Sequence, residues 1–489
     1  MAIVDPRPFV GAAVAWMVLP DGGDAAARHL AELVTRERAE FAAELGAPVE
    51  VRRSGAAGAG PTMFLDVPGA PHPELAAWRR RTGSVAMAGP AVELAGDVVV
   101  VTAGDDAGVA LSLLRTAVRT GAAGVLTPRP ARTAAEAADR LAAEVAWTYP
   151  AFALRGLDWP ALVARHREAA VHGGLDALQR WIAELRDPHT SVRAAGPRRV
   201  LPYTARGGGG SVRLAHVPRW SAGWAAGARP GDLLVAVGGE PVDAARLRAT
   251  TGAEARTLES FAGRRALTLT GGAAAGVVVR SAGGRERSWL DDTEPRPVSW
   301  SRLPSGTGYL RIRAWSDPEA LDAALTELGR CERLVVDVRG NSGGDLVTAL
   351  RFRDRFLDRA TALGTVRFST GDGGLAGPAP ITGTPAEAGR WTRPTRFLVD
   401  RLCYSATEDA LLGLRTMRHV QLVGEPSGGG SGRPRTVGLL DGVVLSVSTA
   451  LTYEPGGRCV EGAGLAVDRE LPPHLLATGA AVTAADTGW

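Results

Sequence analysis

Apolar positions along this chain switch repeatedly between two rhythms: short continuous runs that read as strands, and three- and four-residue spacings that read as helices. Over residues 1–130, Phe9–Leu19 and Val98–Val101 read as buried strands. Ala25–Leu45 and Gly108–Arg119, the latter after Asp105-Asp106, read as helices, and the segment as a small α/β domain. A Pro/Arg/Thr linker, Thr127–Arg132, leads into a helical segment over 131–200 with helices at Ala134–Val145 and Pro160–Leu185. Pro160 sits where proline is welcome, at a helix start, and Pro188 forces the chain out of helix at Arg186-Asp187-Pro188-His189-Thr190. Residues 201–292 change to short strands and turns, with Pro230-Gly231-Asp232 a tight turn, Leu233–Val237 a strand and Gly238-Gly239 a hairpin turn. From 293 to 489 the alternation returns. Strands at Gly308–Ile312, Arg333–Val338 and Arg396–Val399 are interleaved with helices at Pro318–Leu328, Asp345–Leu357 and Ala406–Leu414, the signature of a layered α/β core.

Composition narrows the chemistry. Hydrophobic content of 45% and charged content of 22% are ordinary for a globular chain. All 56 basic residues are arginine, so any mechanism built on lysine is excluded: a Schiff base, a Walker phosphate lysine or a Ser–Lys dyad. A net charge of +4, with arginines scattered among acids and no basic block, argues against nucleic acid as a partner. Cys331, Cys403 and Cys459 are odd in number and far apart, so neither a disulfide framework nor a metal spacing follows, and reduced thiols in the cytoplasm are expected. Phe9–Leu19 is too short to span a bilayer and has no cleavage-type ending, so no membrane partner is expected either. No cofactor is called for.

Three segments carry chemistry. Leu334–Asp345, LVVDVRGNSGGD, is a buried strand ending in a glycine-rich turn, which suits an anion and reads as a phosphate loop or as an oxyanion hole. Phe397–Leu412 places Ser405 at a strand-to-helix turn. With Glu408 three residues on, Ser405 reads equally as the serine of a capping box and as a nucleophile in the field of a helix N-terminus. Tyr453–Leu471 reads as strand–turn–strand around Glu461 and Asp468, with Glu461 a solvated hairpin charge on the plainest reading.

Three resemblances bear on the chain. GDVVVVTAGDDAGVALSLLRTAV resembles, over one strand and one helix, the accessory α/β domain that precedes the barrel in family-20 glycoside hydrolases, without a pair of catalytic carboxylates. SAGWAAGARPGDLLVAVGGEPV (Ser221–Val242) resembles the strand–turn segment of a PDZ domain, a fold that takes extended peptides at a sheet edge. Together, in this order, the PDZ-like unit and the three segments resemble the serine peptidases that include the C-terminal processing proteases and the core of tricorn protease. That resemblance covers roughly residues 140–475 and includes Tyr149–Ala169 and LRDPHTSV (Leu185–Val192).

It implies a crotonase/ClpP-like α/β core with a helical lead-in, a small PDZ-like β domain and an extra N-terminal α/β domain. It implies Ser405 as nucleophile, and Gly343, Gly344 and Ala406 as sources of oxyanion N–H groups. The lysine of the C-terminal processing branch would fall at Gly430 in GEPSGGGSG, so the base falls instead to His189, as in the tricorn-like branch, helped by Glu461. Pro188 stands where that branch has a relay serine, so Glu461 reaches His189 directly, through Thr190, or not at all. A peptide or peptide-like molecule is the implied substrate, and the family leaves room for oligomers. Two other readings share the fold: a hydrolase, acyl-transferase or cyclase of biosynthesis, and a non-catalytic peptide-binding scaffold.

Overall fold

The computed structural model describes residues 12–489 apart from 13, 20–24, 54–59, 68–69, 71, 85, 87–90, 96, 103–113, 115–123, 127–130, 197, 272–273, 294–295, 372, 431 and 477. The helix expected at Gly108–Arg119, most of the Thr127–Arg132 linker and the start of the Phe9–Leu19 run lie outside the described residues. The fold is mixed α/β. Its contacts divide into two compact units: residues 1–174 with 367–379 and 433–450, and residues 175–366 with 380–432 and 451–489.

In the first unit a six-stranded sheet runs in the order Val49–Arg53, Ala15–Leu19, Thr62–Asp66, Val98–Thr102, Ala91–Ala95, Gly124–Leu126. The first four strands are mutually parallel, and Ala91–Ala95 runs antiparallel to both of its neighbours. Period-two alternation sends Met17, Met63, Leu65, Val99 and Val101 to one face, against Val34, Phe41 and Leu45. Val18, Phe64 and Val100 go to the other, against Leu75 and Trp78. Cover on both faces explains why the Val98–Val101 run is apolar without alternation. The single helix expected over Ala25–Leu45 is two, Ala25–Arg36 and Arg38–Leu45. It breaks at Glu37, whose carboxylate meets Arg433, 396 residues away in sequence.

The second unit contains an antiparallel sheet and a mostly parallel one. The antiparallel sheet orders its strands Glu286–Asp291, Ala275–Arg280, Leu233–Val237, Ser211–His216, Thr204–Gly208. Gly238 and Gly239, with φ of 64° and 86°, make the two-residue hairpin that pairs Val237 with Glu240, as the Gly-Gly signal predicts. Helix Ala255–Ala266 lies on the edge strand Thr204–Gly208. A Cβ on Gly263 would fall 2.1 Å from the Ala205 carbonyl oxygen.

The other sheet runs Val298–Arg302, Gly308–Ile312, Leu334–Asp337, Thr395–Val399, Val420–Gly424, Arg469–Glu470, parallel except for its first pair. Leu334, Val336, Phe397, Val399 and Leu422 face helices Pro318–Glu327, Leu346–Asp354 and Ala406–Leu411 through Leu321, Phe352 and Ala410. Val335, Leu398 and Val423 face Leu476, Ala481 and Ala485 of the C-terminal helices. Helix Trp159–Ala183, expected as one run to Leu185, carries a non-helical Gly174 at φ 61°, ψ −150°.

The contact at Gly263 yields a test of this packing. Gly263→Ala should destabilise the protein by about 1–3 kcal/mol, as overpacking does. Gly329→Ala, whose added methyl meets nothing within 4 Å, should change stability by less than about 0.5 kcal/mol. Urea midpoints of the two variants would expose an error if they shifted alike.

Candidate active site

Parallel strands end together at one edge of a sheet, and loops leaving that edge collect there. Here the strands Leu334–Asp337 and Thr395–Val399 deliver two turns, 338–344 and 400–405, that are tied to each other. Asp400 Oδ1 accepts from Gly340 N–H (2.9 Å) and Leu402 N–H (3.0 Å), the Cys403 thiol donates to Val338 O (3.1 Å), and Tyr404 N–H donates to Asn341 O (3.2 Å). Burial and the neighbouring Asp400 raise the Cys403 thiol well above its ordinary value, so it serves as a hydrogen-bonding spacer and not as a nucleophile.

Ser405 follows at φ 59°, ψ −129°. An N-cap serine sits in the extended region, whereas this backbone is strained for a residue with a Cβ. The strain is held from three sides. Ser405 N–H donates to Gly430 O (2.9 Å) and to Glu408 Oε2 (3.3 Å), and Glu408 N–H donates to Ser405 O (2.7 Å). Gly343, at φ 108°, lies against the turn: a Cβ there would come within 2.8 Å of Ser405 Cβ and 3.3 Å of Ala406 N. Gly343 N–H is already taken by Asn341 Oδ1 (3.0 Å). Gly344, at φ 139°, bridges to Trp315, whose indole donates to Thr407 Oγ1 (2.9 Å). Among the described residues no hydrogen bond takes up the N–H of Gly344 or of Ala406.

His189 comes from the Pro-broken loop. Its half-buried ring stacks on Tyr404, the residue before Ser405, with centroids 4.5 Å apart and planes tilted by 34°. Asp187, fully buried, organises this corner. Its Oδ1 accepts from His189 N–H (2.9 Å) and from the Tyr404 hydroxyl (3.2 Å), and its Oδ2 accepts the Thr190 hydroxyl proton (2.7 Å). Thr190 therefore donates to Asp187. Glu461 is 7% exposed, not a solvated hairpin charge, because its neighbours are tied inward: Val460 N–H to Thr452 O (2.9 Å) and Gly462 N–H to Gly429 O (2.8 Å). Nor do the ends of the Tyr453–Leu471 segment pair with each other. Tyr453 closes a strand that bridges to Cys459, while Arg469–Glu470 joins the parallel sheet.

Glu408, marked in the sequence only as a capping-box residue, and Arg256, not marked at all, hold the glycine-rich loop 427–430 beside Ser405. Glu408 Oε1 accepts from the Ser427 hydroxyl (2.5 Å) and Gly429 N–H (2.9 Å), and its Oε2 accepts from Gly430 N–H (2.8 Å). Arg256, from the helix on the antiparallel sheet, donates to the carbonyls of Ser427 (2.5 Å), Gly428 (2.9 Å) and Gly462 (3.2 Å). The S-x-x-E spacing contained the only signal for Glu408. Arg256 had none, since its partners lie 171–206 positions away. Gly430 itself leaves room for Tyr404: a Cβ there would fall 2.0 Å from the Tyr404 hydroxyl oxygen.

The stretch that a known family model matches begins just before the strand Gly308–Ile312 and ends with the last strand of the parallel sheet. Residues 306–471 match the model of peptidase family S41. The matched stretch holds both turns, Ser405, Gly430 and Glu461, while His189 and Asp187 lie before it. A carboxy-terminal-processing protease of Bartonella bacilliformis is 25% identical over 183 residues, 34% of this chain and 39% of that protein, so the chain spans about two fifths of this curated relative. The crystal structure of mature CPAF is similar with a TM-score of 0.52 and 15% identity, over 72% of this chain and 95% of that one, which supports a shared fold. The photosystem II D1 C-terminal processing protease matches at 21% identity over 72% of this chain and 99% of that one, with a TM-score of 0.48.

Among the described residues no group of His, Cys, Asp and Glu side chains is placed to hold a metal ion. None of their helices is long and apolar enough to cross a membrane.

Two tests follow from the geometry. Gly430→Ala should expel Tyr404 from its place between His189 and Asp187 and destabilise the fold by about 1–3 kcal/mol. A crystal structure of the variant with Tyr404 unmoved would contradict this. Burial pushes the Glu408 carboxyl up to about 7, against the donors of Ser427, Gly430 and Gly429 that favour its charged form. A carboxyl raised in the fold binds its proton more tightly there than in the unfolded chain. Its contribution is full below the ordinary carboxylate value and is lost as pH rises toward 7. Denaturation midpoints of the native protein should fall across that window by more than those of Glu408→Gln.

Proposed function

We propose that the chain is a serine peptidase of the histidine-based, tricorn-like kind, in which Ser405 attacks the scissile carbonyl and His189 is the general base. The observation that carries this reading is the stack of His189 on Tyr404, which puts the imidazole beside the strained turn bearing Ser405. The absence of lysine and the occupation of Gly430's side-chain space by Tyr404 support it, because the Ser–Lys alternative has neither residue nor room. A serine hydroxyl is almost wholly protonated at neutral pH. Histidine takes the proton during attack and returns it to the leaving amine, and the acyl group remains on Ser405 until water releases it.

The developing oxyanion is assigned to the N–H groups of Gly344 and Ala406, with Gly343 keeping the two backbones close enough for both to reach it. Asp187 positions the base through His189 N–H and through Tyr404, and Thr190 steadies Asp187. Glu461, buried near the same glycine loop, is proposed to balance the imidazolium that forms. The sheet of residues 201–292 is proposed as a PDZ-like unit and the substrate as peptides or unfolded tails. Cys331, Cys403 and Cys459 form no disulfide with one another, which fits a reducing, cytoplasmic setting.

Ser405→Ala and His189→Ala should each abolish labelling by a fluorophosphonate and lower kcat on an unstructured tail peptide by about 10,000-fold. Full labelling of either variant would remove that residue from the mechanism. Asp187→Asn should lower kcat with little change in KM, since it acts through the base and not on substrate. A loss confined to KM would reassign it to binding.

A further inference from the structure

Away from Ser405, the second unit contains a cavity of about 340 Å³ bordered by six arginines and, among its described lining residues, by no aspartate or glutamate. Like charges in a concave, partly desolvated space repel one another, and guanidiniums are buried at a cost unless an anion answers them. Two of the six are answered: Arg199 by Asp291 (3.4 Å) and Arg339 by Asp337 (2.6 Å). The other four have no carboxylate partner among the described residues. Arg313 donates to Pro202 O (2.5 Å), Arg264 to Gly340 O (3.4 Å), and Arg296 lies 5.1 Å over the ring of Trp220. Burial, reinforced by the nearby Arg311, lowers Arg313 to about 9, and burial with Arg198 lowers Arg264 to about 10. Burial disfavours each charged guanidinium, and the neighbouring arginines add to that cost.

We propose that this cavity, walled by Arg198, Arg199, Arg264, Arg296, Arg313 and Arg339, binds a small multivalent oxyanion of the phosphate or polycarboxylate class. Planar guanidinium forks are matched to such oxygens, and several converging forks require more than one negative charge to satisfy them. An adjoining chamber of about 270 Å³ shares Arg296, Arg313 and Arg339 but contains Asp337 and Asp400, so the uncompensated charge belongs to the larger space. A peptide tail laid along the sheet edge does not fit as the occupant. Helix Ala255–Ala266 closes on the strand Thr204–Gly208 there, with Cβ positions on Gly263 and Gly207 reaching Ala205 O at 2.1 Å and Ala262 Cβ at 3.4 Å. Gly340 and Leu402 form part of the wall, one from each of the two turns that frame Ser405, so the anion would sit behind those turns.

The test uses the whole chain with inorganic pyrophosphate and citrate as probes, at ionic strength matched with chloride. Saturable binding by titration calorimetry is expected, with a rise in Tm of about 3 °C or more at a hundredfold excess over Kd. Arg296→Gln, at the exposed rim, should keep the ligand-free Tm and weaken pyrophosphate by about tenfold, the size of one charge-assisted hydrogen bond. Arg313→Gln should weaken it at least as much. The proposal is overturned by any of three results: no saturable response beyond the chloride control, an undiminished response in both variants, or displacement of pyrophosphate by a free-acid peptide but not by its amide.

Discussion

Glu408 is the group on which the arrangement around Ser405 depends. Its carboxylate is surrounded by donors that belong to two different pieces of chain: Ser405 N–H on one side, and the Ser427 hydroxyl with the N–H groups of Gly429 and Gly430 on the other. A single buried acceptor thus keeps the serine's turn and the glycine loop in one register. The geometry is over-determined, because Ser405 N–H also reaches Gly430 O and Arg256 holds the loop's carbonyls from outside. Strain at φ 59° persists only under such surrounding constraint.

The second constraint is steric. Three glycines allow backbone to approach side chain where any Cβ would collide: Gly343 against Ser405, Gly428 against Tyr404, and Gly430 against the Tyr404 hydroxyl. Tyr404 then fills the space at position 430 and connects the two halves of the proposed machinery. Its ring supports His189, its hydroxyl rests on Asp187, and its peptide leads into Ser405. A chain without lysine has in this way converted an empty side-chain position into a support for histidine.

Arginine carries the remaining structural work of a basic residue. It acts as a multi-carbonyl clamp at Arg256, as a neutralising partner for buried Asp337 at Arg311 and Arg339, and as unanswered charge at Arg264 and Arg313. Five donors in a fixed fork suit the first two roles, since one side chain satisfies several acceptors at once. The third role has no such local explanation in the chain itself.

What the linear pattern determined is local. Strand runs, helical spacings, the Gly238-Gly239 hairpin, the stop at Pro188 and the strand–glycine-turn–helix order of the parallel-sheet core all follow from backbone preference and burial period, and each is legible without knowing what lies opposite. Ser405 and His189 were marked as candidates by the family resemblance, which the strand-to-helix turn and the lack of lysine supported. Tertiary structure decided what depends on distant partners. The break at Glu37 answers Arg433, the burial of Glu461 follows from its tied neighbours, and Glu408, read locally as a cap, gathers a loop some twenty residues on. Asp187 appeared only as a residue before a proline until Tyr404, 217 positions later, donated to it. Hydrophobic periodicity reports which face of an element is buried, but a polar group's role depends on which other polar group the fold brings to it, and that pairing is not written in either residue's own neighbourhood.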